Sequence, residues 1–138
     1  MKISTLKSPP IRLLLVAAML LTTSLSYGQI ETVSDGNWND GSTWNGNSVP
    51  TSGAIAKIGH ILILNSTGEV KTVEIIGAFG ANGNLEIASS SALEVFGDFT
   101  NENIFDANDN STIIFKGSDN NTIETNGDSF FDIEISKD

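Results

Sequence analysis

Few side chains in this sequence could carry chemistry, and their spacing limits what each could do. His60 is the single histidine. A general base needs an orienting partner and a reacting group within reach, and one imidazole supplies neither, so a structural role beside a turn is expected for it. Oxygen donors crowd the run from Asn101 to Ser111. Asp106, Asn108 and Asn110 copy the first alternating positions of an EF-hand loop. The copy then departs: Ser111 stands where glycine is needed and Gly117 where a bidentate glutamate is needed. These three residues are the only Ca²⁺ candidates, against a reading in which Asp and Asn simply favour turns. No other cofactor is expected.

Two tryptophans, Trp38 and Trp44, are six residues apart. Exposed indoles could stack on sugar rings. Alternatively they plug the open end of a repeat structure, as a terminal repeat requires. Glu74, Glu94 and Glu134 fall on multiples of a 20-residue interval, with Ile114 between the last two. They read as a solvated face. No catalytic residue is assigned. A polysaccharide lyase needs a base and cationic or Ca²⁺ help, yet beyond residue 28 there is no Arg, no Tyr and only Lys57, Lys71, Lys116 and Lys137. Glycosidase carboxylate pairs stand about 5–9.5 Å apart, and among 17 acidic residues some such pair arises by chance. G-x-S-x-G and P-loop patterns are absent, so an enzyme is not expected in these residues.

The start of the chain has the three-part layout of a secretory signal. Lys2, Lys7 and Arg12 precede an apolar run from Leu13 to Leu21, and Ser26 and Gly28 precede a cut before Gln29. A membrane anchor needs about 20 apolar residues, roughly twice this run. Residues 1–28 are therefore expected to be a cleaved signal peptide. The rest is expected to be exported to the cell surface or medium, with no membrane insertion after cleavage. Removing 28 of the 138 residues leaves 110, one small domain. The net charge of −10 includes +3 from the leader, so the remainder carries −13. That argues against nucleic acid or an anionic membrane as a partner. With no cysteine, disulfides and thiolate zinc sites are excluded.

Short β-branched and aromatic runs alternate with Gly, Asn, Asp and Ser, which reads as strands and turns. Strands are expected at 55–64, 70–76, 85–87, 93–96, 112–115, 122–124 and 131–135. Val73 with Ile75, Leu93 with Val95, Ile113 with Phe115, and Ile133 with Ile135 recur every 20 residues, as do Gly77, Gly97 and Gly117. A second set comprises Leu85 with Ile87, Phe105 with Ala107, and Ile123. Each pair is an i, i+2 couple facing one side of a strand. A period of about 20 residues belongs to solenoids. The expected fold is all-β: a single-stranded parallel β-helix, taken as right-handed from the general handedness of parallel crossovers. Strands would stack about 4.8 Å apart, with the glycines at corners where φ is positive. A β-sandwich with coincidental spacing is the alternative. Residues 29–54 would cap the solenoid and 55–138 would form its rungs. The strand at 131–135 reaches Asp138 with no capping element, so either Asp138 is not the natural end or that edge takes a partner, another copy or a downstream domain.

The segment SDGNWNDGSTWNGNSVPTSGAIAKIGHILIL resembles the opening of large exported β-solenoid surface proteins of Bacteroidota. Trp38, Trp44, Val49, Pro50, Ile58, Gly59, His60, Ile61 and Ile63 carry the likeness. The later FKGSDNNTIETNGDSFFDIEISK is similar to their recurring repeat, through Phe115, Gly117, Ile123, Phe131, Ile133 and Ile135. Those proteins often carry a type IX secretion sorting domain, which these 138 residues do not include. A weaker resemblance is to the eight-glycine extracellular domain. The resemblance implies a non-catalytic structural or adhesive module whose partner is an extracellular polysaccharide or cell-surface component. A carbohydrate-binding module using Trp38 and Trp44, or a fragment of a polysaccharide-active enzyme, is the alternative.

Overall fold

The computed structural model describes residues 28–77 and 81–138. The expected signal peptide lies outside the described residues apart from Gly28. Among the described residues no helix is long and apolar enough to cross a membrane.

The chain is an all-β solenoid of three parallel sheets. The first sheet stacks β1 (Gln29–Glu31), β3 (Ile55–Ile58), β6 (Thr72–Ile75), β9 (Phe99–Asn101) and β12 (Ile123–Glu124). The second stacks β2 (Gly36–Asn37), β4 (Ile61–Leu64), β7 (Asn84–Ile87) and β10 (Ile104–Ala107). The third stacks β5 (Thr67–Val70), β8 (Ala92–Val95), β11 (Thr112–Lys116) and β13 (Asp132–Ser136). Three full circuits, β3 to β5, β6 to β8 and β9 to β11, visit the sheets in that order; β1 and β2 precede them without a strand in the third sheet, and β12 and β13 follow without one in the second. The expected strand at 55–64 is thus two strands, broken at the Gly59–His60 corner, and the one at 70–76 begins only after a corner at Lys71.

Alternation builds the core. In β3, β4, β6, β7, β8 and β11 every second residue is buried, as one face of a pleated strand requires. Parallel register then stacks like on like. Leu62, Leu85 and Phe105 form one inward column, and Val70, Val95, Phe115 and Ile135 another. A third runs through Ile30, Ala56, Val73, Phe99 and Ile123.

The 20-residue interval is only partly the register. It holds from β8 to β11 to β13, and from β7 to β10. Val73 and Ile75 do not stack on Leu93 and Val95. They face Phe99 and Asn101, while Leu93 and Val95 face Gly68 and Val70. Ile123 likewise joins Phe99 and not Phe105. The acidic column changes accordingly. It runs Glu69, Glu94, Ile114, Glu134, whereas Glu74 lies between Lys57 and Thr100 in another sheet. Of the three spaced glycines only Gly117 has positive φ, at 80°. At Gly77 and Gly97 the constraint is space. A Cβ would lie 2.8 Å from the carbonyl oxygen of Glu102 or Lys71, on the neighbouring rung.

Candidate functional site

Residues 29–54 supply β1 and β2, in parallel register with β3 and β4, and a closing layer above them. Asp40 accepts from the Ser42 amide at 2.9 Å and starts a 3-10 turn over Gly41–Thr43. A hydrogen bond from the Ser42 hydroxyl, and after it the one from the amide, holds the Asp40 carboxyl below its usual range. The turn delivers Trp44 back over the chain, where it bridges antiparallel to Thr32. Trp38 follows β2 and continues the column above Leu64, its amide donating to the Ile63 carbonyl at 2.9 Å. Trp38 is 0% and Trp44 1% exposed. Their rings meet edge to face with centroids 5.2 Å apart, and the Trp44 indole N–H donates to the Trp38 carbonyl at 2.8 Å. Both indoles are part of the core, and neither offers a face on which a sugar could stack.

His60 is half-buried at the corner between β3 and β4, with Nδ1 3.1 Å from the Thr32 hydroxyl. That hydroxyl also accepts from the Gly59 amide at 3.0 Å. The pair ties the first rung to the second.

The oxygen-rich run is divided among three places. Asn101 points inward on β9 and is buried. Its amide donates to the Thr125 carbonyl at 2.9 Å and to Asp128 at 3.0 Å. Asp128 also accepts from the Phe105 amide at 2.8 Å, and so satisfies one amide of β10, the last strand of its sheet. Asp106 lies on the outer face of β10 beside Glu86 in register. Asn108 donates to Glu86 at 2.8 Å. Asn110 adopts φ 62°, the left-handed conformation that Ser90 adopts in the corresponding corner one rung earlier. Asn tolerates that conformation better than most residues, which accounts for Asn110 at this corner. Among the described residues no three His, Asp or Glu side chains are grouped to hold a metal ion.

The two ends of the column differ. At the first, Trp38 and Trp44 cover the interior. At the last, Phe130 fills the interior from the loop between β12 and β13, with its ring 5.3 Å from those of Phe99 and Phe105. Phe131, where the expected strand at 131–135 begins, is exposed. Beyond Phe130 the inward positions continue in Ile123, Ile133 and Ile135, which are 41%, 44% and 69% exposed. A shallow apolar hollow of about 270 Å³ lies there between Phe115, Ile123 and Ile135, rimmed by Asp119, Asn121 and Lys137. Sequence reasoning identified β13 as an open edge. It placed no strand at β1, β2, β5, β9 or β10, and it missed the plug at Phe130, because alternation back from Ile135 and Ile133 points Phe131 inward instead.

Lysines stitch the corner between the third and first sheets. Lys71 donates to the Phe96 carbonyl at 3.2 Å and to Asp119 at 2.5 Å, spanning three rungs. The hydrogen bond and charge of Lys71 hold the Asp119 carboxyl below its usual range. On the outer face of the third sheet Lys116 reaches Glu94 at 2.8 Å.

Comparison with family models, with curated proteins and with solved structures gives no match to this chain.

Proposed function

We propose that this chain is a non-catalytic structural module of an exported bacterial protein, a stiff β-solenoid that serves as part of a surface stalk or adhesin. The supporting observation is the pair of unlike ends: the inward columns are sealed by Trp38 and Trp44 at one end and reach an exposed isoleucine ladder at the other. A module sealed on one side and open on the other suits extension in one direction. Stacked rungs hold one another through nearest-neighbour contacts, and parallel ladders leave little backbone for a protease to grip. Its action would be mechanical, keeping corner loops and any attached parts at a fixed spacing. The charge of −10 favours solubility outside the cell. The resemblance of residues 31–137 to exported surface solenoids points the same way.

The test is the form and place of the natural protein. Protease added to intact cells, followed by N-terminal sequencing of the protected core, should find surface-accessible protein beginning at Gln29. Protein that begins at Met1 and is shielded inside intact cells would contradict the reading.

A further inference from the structure

Two hollows lie side by side on the outer face of the first sheet. One, of about 290 Å³, is lined by Glu31, Lys57 and His60 with Ile76 and Ala81. The other, of about 270 Å³, is lined by Glu74, Thr100 and Glu102 with Ile76 again. Their floor is a single outward column, because Glu31, Lys57, Glu74 and Thr100 are consecutive neighbours in register across β1, β3, β6 and β9. Stacked strands stand about 4.8 Å apart, so the column offers one polar side chain at each such step along four rungs.

β3 and β6 have strands on both sides. No backbone edge is open there to a peptide, and recognition falls to side chains. Lys57 comes no closer than 4.0 Å to Glu31, too far for a hydrogen bond, so its ammonium has donors to give. His60 is held through Nδ1 by the Thr32 hydroxyl, which is buried and also accepts from the Gly59 amide. That bonding assigns the hydroxyl hydrogen to Nδ1 and the imidazole proton to Nε2, a donor. Glu74, Thr100 and Glu102 add acceptors and a hydroxyl, and Ile76 and Ala81 add a small apolar wall. Donors and acceptors in alternation beside aliphatic groups suit a ligand with many hydroxyls and C–H faces. Three carboxylates stand against one ammonium, so an anionic chain is repelled. The step of the column is close to the length of one sugar ring in an extended chain.

We infer that the outward column of Glu31, Lys57, Glu74 and Thr100 is a binding site for a neutral linear polysaccharide, laid along the solenoid axis with about one sugar residue to each rung. The site goes beyond the scaffold reading and does not depend on it, since a stalk lacking this site is still a stalk.

The probes are neutral oligosaccharides of the cello, xylo, manno and laminari series, from disaccharide to hexasaccharide, with oligogalacturonate as the charged comparison. Titrated into the full chain and followed by amide NMR shifts, one neutral series should bind saturably and move the signals of Lys57, Glu74 and Thr100. Each rung adds a weak contact to an already tethered chain, so affinity should rise about tenfold or more from disaccharide to tetrasaccharide and then level off. Glu74→Gln and Lys57→Met each remove hydrogen bonds to a charged group and should weaken tetrasaccharide binding about fivefold or more. Both positions face outward, so thermal unfolding should hardly move. Thr100→Val, on the last rung of the column, should bring the levelling-off forward to the trisaccharide. Glu69→Gln, on the outer face of the third sheet, should leave affinity unchanged. The inference is overturned if no neutral series binds, if the disaccharide binds as tightly as the hexasaccharide, if oligogalacturonate binds more tightly, or if binding survives both Glu74→Gln and Lys57→Met.

Discussion

The indole of Trp38 occupies the space in front of Gly68, where a Cβ would lie 2.9 Å from the Trp38 Nε1. Gly68 is the residue of β5 in register with Leu93, so one glycine lets the sealing tryptophan drop into an inward column. Trp38→Ala should cost about 3–5 kcal/mol, as large core truncations do. Gly68→Leu should cost about 1–3 kcal/mol by overpacking. The double variant should recover at least about 1 kcal/mol of the summed loss, since contacting residues couple. Denaturant titration of the four proteins checks this, and strict additivity would separate the two residues.

Inward and outward neighbours on β11 should respond oppositely. Ile113 is buried, whereas Ile114 lies between Glu94 and Glu134 on the outer face. Ile113→Asp buries an unpaired carboxylate at a cost of several kcal/mol and should prevent folding. Ile114→Lys sets a cation between two carboxylates and should be neutral or stabilising by about 0.5 kcal/mol. Thermal unfolding followed by circular dichroism distinguishes the two.

The corner at Asn110 should obey backbone rules. Its φ of 62° suits glycine, so Asn110→Gly should change stability by less than about 0.5 kcal/mol. Asn110→Val should cost about 1–2 kcal/mol, the penalty of a left-handed residue with a branched Cβ. A thermal shift of either variant that depends on added Ca²⁺ would point to metal ligation in place of turn geometry.

Lys71 makes stability depend on pH in a defined direction. The Asp119 carboxyl is held below its ordinary value of 3.8, first by the Lys71 hydrogen bond and then by its charge. A carboxylate depressed on folding contributes stability above its unfolded value, and that contribution is lost as pH falls through the folded value. Lys71→Met should therefore raise the Asp119 titration midpoint, read by carbon NMR. It should also flatten the decline of stability below the ordinary value, because the difference that drives the decline is gone.

The alternation of Leu93 with Val95 and of Ile113 with Phe115 made the solenoid legible in the sequence. The 20-residue interval is a true register where the corners of successive rungs match in length, as between β8, β11 and β13. It misled at Val73 and Ile75. Those residues lie 20 before Leu93 and Val95, but the chain has already turned the corner at Lys71. The proper counterpart of Leu93 and Val95 on the preceding rung is Gly68 with Val70, a pair hidden because Trp38 supplies the missing side chain from elsewhere. Such a substitution across about 30 residues leaves no local periodicity to find. Asn101 was hidden for a related reason. It is polar in an inward column, and only its bonds to Thr125 and Asp128 on the next rung make that burial tolerable. The open ladder at Ile133 and Ile135 was readable from spacing alone, whereas the plug by Phe130 depended on knowing which of two adjacent phenylalanines faces in.

The central claim is a stack sealed at Trp38 and open at β13, and amide hydrogen exchange on the full chain tests it most directly. Exchange should be slowest in β8 and β11, which have strands on both sides, and much faster in β13, which has one. Amides of β13 as slow as those of β11 in the chain alone would contradict the account, because they would show that edge already closed.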